Sequence, residues 1–210
     1  MKPLLSTLTL AAAVLLCSCV TPQERCNQAL ALCQANRHSE AIPLLTQAAQ
    51  DDVTAAQLEL GKCYDFGKGI RKDPKMAVYW YRRAALNGNA NAQDNLATCY
   101  FFGTGVEKNL EEAVKWHKLA ADQNYAPACN NLGLCYRNGE GVQTNEIIAA
   151  GYFRRAAELG NDAGQYNLGR CYYHGVGVIR DEETAKFWIS KAAAQGYKNA
   201  KLFMQDNNWQ

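Results

Sequence analysis

Apolar residues recur along most of this chain at helical spacing. Ala56, Leu60, Cys63 and Tyr64 fall at i, i+4, i+7 and i+8, one face of a 3.6-residue period. Gly67 is placed to end that helix in the left-handed conformation. A second stripe, Ala77, Trp80, Tyr81, Ala84 and Ala85, begins after Asp73 as N-cap and Pro74 at the first helical position. The pattern predicts two amphipathic helices joined by a turn carrying Gly67 and Gly69.

Sliding the sequence by 36 residues superimposes it on itself. Cys63, Cys99, Cys135 and Cys171 align, each followed by a tyrosine. Leu60, Leu96, Leu132 and Leu168 form a column, and Gly61, Ala97, Gly133 and Gly169 a column of small residues. The turn glycines repeat at 67/69, 103/105, 139/141 and 175/177. Asn109, Asn145 and Asp181 share the N-cap column of Asp73, and Asn109 with Glu112 has the spacing of a capping box. Gly88, Asn124, Gly160 and Gly196 are predicted to end the second helices. Residues 24–52 read as one more helical hairpin, with its turn near Asn36 to Ser39 and Pro43 near the start of its second helix. Residues 199–210 read as a short polar cap, such as terminal repeats require for solubility.

The motif L-G-x-x-Y-x-x-G-x-G-V, followed by D/N, A, W-Y and A-A-x-x-G, resembles the Sel-one-like repeat family, relatives of the tetratricopeptide repeats. The resemblance covers about 55–198 and places four repeats within 53–198. It implies an all-α chain, an α/α solenoid of antiparallel helix pairs forming a right-handed superhelix. Ala97, Asn124, and His117, Phe153 and Ile189 in the Tyr81 column depart from the pattern at packing or capping positions. Those positions leave the expected fold intact.

The N-terminus adds a location. One lysine precedes an apolar run from Leu4 to Leu16, the length of a signal-peptide core and short of the ~20 residues that span a bilayer. Leu16-Cys17-Ser18-Cys19 resembles the lipobox of bacterial lipoproteins, so residues 1–18 are expected to be a signal peptide, Cys19 the acylated residue and 19–23 a short linker. Val20 after Cys19 implies the outer membrane, facing periplasm or exterior; a soluble secreted or periplasmic protein is the alternative. Membrane contact would then run through the lipid.

Charge and composition leave the partner open. The net charge of +2 and 20% charged residues point neither to nucleic acid nor to an acidic tail. Seven cysteines follow Cys19, an odd number. Cys129 and Cys135 lie on one helix about 9 Å apart along its axis, beyond disulfide reach. No CxxC occurs, and His38, His117 and His174 show no ligand spacing. The expectation is buried apolar thiols, no assigned disulfide, no metal and no cofactor. The cysteine-rich members of the resembled family would pair positions 121 and 129, but position 121 is Ala.

The glycine pairs follow helices, not strands, so a phosphate loop is not expected. None of the serines lies in G-x-S-x-G or S-x-x-K, and HExxH is absent. A non-enzymatic role is expected: a scaffold binding a protein or peptide in its concave groove. First helices line that groove in such solenoids. Its candidate residues are Lys62, Phe66, Asn95, Phe102, Asn131, Leu134, Asn138, Asn167, Arg170 and His174. Asparagine amides can bond a peptide backbone, and Lys62 and Arg170 can hold acidic groups. The alternative implied by the resemblance is a secreted enzyme that binds or hydrolyses β-lactams; the missing S-x-x-K, zinc ligands and paired cysteines count against it.

Overall fold

The computed structural model describes residues 20–209. The expected signal peptide and Cys19 lie outside them. Among the described residues every regular element is an α-helix. They are α1 (Pro22–Gln34), α2 (His38–Gln50), α3 (Thr54–Phe66), α4 (Pro74–Leu86), α5 (Ala90–Phe102), α6 (Leu110–Asp122), α7 (Ala126–Asn138), α8 (Glu146–Glu158), α9 (Asp162–His174), α10 (Glu182–Ala194) and α11 (Lys198–Asp206). The described residues divide into two compact units, one ending at Asp73 and the other beginning at Pro74.

In the first unit, α1 packs on α2, α2 on α3, and α1 on α3. Cys26, Ala29, Leu45, Ala48, Leu60 and Cys63 are buried there. The hairpin begins two residues earlier than its periodicity suggested, because Thr21 caps α1 reciprocally with Glu24: each side chain bonds the other's backbone N–H. Its turn runs through Asn36 at φ +58°. Pro43 sits inside α2, beyond the first turn where proline is best tolerated.

In the second unit each helix packs on its neighbours along the chain, and α7 also touches α9. Small residues let them approach. A methyl group on Gly133 would lie 2.6 Å from the Phe153 ring, and one on Gly169 2.5 Å from Ile189. The large residues of the Tyr81 column therefore occupy the space that the glycines leave open. Leu132, Cys129 and Cys135 form a core with half-buried Tyr136 and Tyr152, whose rings stack at 5.8 Å.

The helix ends follow the sequence closely. Gly103, Gly139 and Gly175 close their helices at φ +70 to +74°. Asn109, Asn145 and Asp181 accept backbone N–H bonds as N-caps. The Asn109 cap is one-sided, since Glu112 turns to Lys115 at 2.6 Å. The terminal cap is a helix, α11, and aromatic where a polar segment was expected. Phe203 and Trp209 pack edge to face with Tyr173, and Ala200 is buried beside Ile189 and Ala192.

The second glycine of each turn has a different task from the first. A methyl on Gly105 would overlap the backbone of Pro74, on Gly141 that of Leu110, and on Gly177 that of Glu146. Gly69 lies in the same way on the backbone of His38 and Ser39. Each turn is thus seated on the start of the second helix of the preceding pair, 31 positions upstream. The hairpin of α1 and α2 receives such a seat although its own turn has no Gly-x-Gly.

Candidate partner-binding groove

Facing residues of α5, α6 and α7 enclose a cavity of about 410 Å³. Phe101 and Phe102 form an edge-to-face pair at the end of α5, with ring centroids 5.0 Å apart. Leu134 supplies the apolar wall from α7. Phe102 is 69% exposed, so an aromatic face stands open to solvent at the rim.

The inner part of the cavity is polar. His117 on α6 lines it and is buried, with Nδ1 2.8 Å from Oδ1 of the buried Asp94 on α5. A carboxylate only accepts, so Nδ1 carries the proton that points at Asp94. Asn131 Nδ2 donates to the same Asp94 oxygen at 3.1 Å, which leaves the Asn131 carbonyl for a ligand. At the mouth, Asn138 donates to Glu140 at 3.2 Å. Oδ1 of Asn131 and the Glu140 carboxylate supply acceptors on this lining. The complementary group is a donor.

Four residues expected on the groove, Phe102, Asn131, Leu134 and Asn138, meet at this cavity. The others do not. Asn95 bonds Asn91 on its own helix at 3.0 Å. Asn167 is buried, donating to Asn130 at 2.8 Å and accepting from Arg137 at 3.4 Å. The asparagine column therefore joins first helices of successive pairs: Asn131 reaches Asp94, and Asn167 reaches Asn130. That internal use is the physical reason why little of the column is left for a peptide backbone. Arg170 lies over the Tyr166 ring at 5.8 Å, and His174 is exposed beside Tyr173. Lys62 and Phe66 belong to the first unit, where Lys62 pairs with Glu59 at 3.3 Å.

Asp94 and His117 were missed in the sequence. His117 occupies a column otherwise filled by Tyr, Phe and Ile, and a polar residue in an apolar column was the available signal. A further column also escaped notice. Gln57, Gln93 and Gln165 donate to the carbonyls of Ala49, Ala85 and Ala157. Cys129 stands in that column, its thiol 3.9 Å from the Ala121 carbonyl.

Cys135 shares the cavity with His117, yet it lacks the character of a nucleophile. Burial pushes its thiol up to about 11, with Glu140 adding to the rise. A nucleophilic thiol needs the opposite shift.

Four consecutive matches to the Sel1 repeat model cover residues 54–89, 90–125, 126–161 and 162–197. This chain belongs to the Sel1 repeat family, whose members are generally protein-interaction scaffolds. Its structure is similar to that of a Sel1 repeat protein from Oxalobacter formigenes, at 36% identity and TM-score 0.80, over 87% of this chain and 72% of that one. It is also similar to a protective antigen of uropathogenic Escherichia coli strains with an SLR fold, at 31% identity and TM-score 0.79. That match covers 85% of this chain but 39% of the antigen's length. Cysteine rich protein B of Helicobacter pylori matches at 26% identity and TM-score 0.51, over 63% of this chain and 95% of its own. No curated protein matches the sequence.

Proposed function

We propose that this protein is a non-enzymatic adaptor of the bacterial envelope that captures a protein or peptide, with the cavity between α5, α6 and α7 as its anchor pocket. One observation carries the reading: exposed Phe102 with Phe101 and Leu134 stands beside the Asn131 carbonyl and the Glu140 carboxylate. An arginine or lysine suits such a site. Its aliphatic stem lies on the apolar walls, its cation faces the aromatic rings, and its N–H groups meet the Asn131 carbonyl and the Glu140 carboxylate.

Panning a random peptide library on the immobilised protein tests this. Enriched sequences are expected to carry Arg or Lys beside an apolar residue. Phe102→Ala should weaken the best peptide by ~10-fold or more, the size of an interface hot spot, without altering the circular dichroism spectrum. Failure to enrich any basic motif, or an affinity indifferent to Phe102, would sink the proposal.

The N-terminal pattern supports anchorage through Cys19 in the outer membrane. Among the described residues no helix is long and apolar enough to cross a membrane. Cys19→Ala should abolish incorporation of a clickable fatty-acid probe; label persisting in that variant would rule out Cys19 as the modified residue.

A further inference from the structure

The first unit brings together three side chains that sequence spacing keeps apart. Cys33 lies at the end of α1, His38 at the start of α2 and Cys63 on the last turns of α3. Their ligand atoms, two sulfurs and one ring nitrogen, all lie within 4.8 Å of one another. Among the described residues this is the one such group of three or more. A second observation is independent of that proximity. Nδ1 of His38 is buried with no hydrogen-bond partner. A buried polar nitrogen without a partner is costly, and it is explained when something binds there.

We infer that Cys33, His38 and Cys63 form a Cys2His site for a single zinc ion. Two sulfurs on one tetrahedral zinc lie about 3.8 Å apart for Zn–S bonds of ~2.3 Å. No pair of ligand atoms therefore has to close by much more than about 1 Å. Charge decides among thiophilic ions: two thiolates and a neutral imidazole cancel a divalent cation, and a buried site of zero net charge costs least. Copper(I) would leave a buried negative charge. A water or another small ligand completes the zinc tetrahedron.

The surroundings hold the ligands in place. Gly69 lies on the backbone of His38, so the turn after α3 fixes the histidine relative to the helix that carries Cys63. Without a cation Cys33 and Cys63 are buried free thiols that carry their protons. Zinc binding displaces both thiol protons to solvent, so two Zn–S bonds form as two S–H bonds break and no electron is transferred.

The test uses the full chain, reduced, titrated with zinc against a chromophoric chelator. It is expected to take up a single high-affinity equivalent, and cobalt(II) in its place should give thiolate-to-metal charge-transfer absorption. Cys63→Ser and His38→Gln should each weaken binding by more than the ~10–100-fold that an outer-shell partner is worth. Cys129→Ser, in the second unit, should bind like the wild type. Because a variant could misfold, alkylation of the wild type is mapped by mass spectrometry in parallel. Zinc should protect Cys33 and Cys63 and leave the reactivity of Cys129 and Cys171 unchanged. Absent uptake, uptake unchanged in both ligand variants, copper(I) binding with zinc excluded, or a Cys33–Cys63 disulfide that forms despite zinc would each overturn the assignment.

Discussion

Cys135 is 2% exposed on the inner face of α7, and burial raises its thiol to about 11 from the ordinary 9.0. A thiol raised in this way stays protonated in the folded chain while the unfolded chain ionises above pH 9. The folded state then binds more protons than the unfolded one, so stability falls as pH rises. The loss begins near pH 9 and runs to about pH 11. At ~1.4 kcal/mol per unit, Cys135 alone accounts for a loss of at most about 3 kcal/mol. Urea denaturation at pH 8, 9, 10 and 11 should show the decline, and Cys135→Ala should flatten part of it. A profile unchanged by that substitution would mean that the thiol reaches water.

Each helix is set by its ends as much as by its stripe. Gly141 and Gly160 both have positive φ, +73° and +87°. Around Gly160 an added methyl would meet nothing within 4 Å, whereas on Gly141 it would overlap the Leu110 backbone. Gly141→Ala should therefore cost clearly more than Gly160→Ala, which bears only the ~1–2 kcal/mol of a left-handed alanine. Equal losses in chemical denaturation would mean that the turn is not seated on α6. The helices, their caps and the first glycine of each turn were legible in one sequence because they depend on neighbours within a few residues. The seat under the second glycine was not, because its partner lies in another helix pair. Asn167 shows the same limit at the candidate groove. Its helical position was correct, but only the fold reveals Asn130 and Arg137 on either side of its amide. Pairing of Asp94 with His117 likewise spans two helices, and no local rule joins them.

Within each unit, stability comes from contacts between neighbours in a series, and the end of the second unit's series needs a cover. Helix α11 and Trp209 provide it by closing over Ile189, Ala192 and Tyr166. Removing residues 198–209 should expose that apolar face, raise binding of the dye ANS and lower the midpoint of thermal unfolding. A truncated chain as stable as the intact one would show that α11 is dispensable. The seated glycines carry a consequence for how such a chain can change its length. Every seat joins a glycine to a backbone segment 31 positions earlier. Within the repeats, duplicating or deleting a 36-residue block leaves each remaining glycine opposite a suitable segment. A block of any other size changes the separation across the cut, so the seat that spans it loses its partner. The lineage of this protein is free to lengthen or shorten, but only by whole steps.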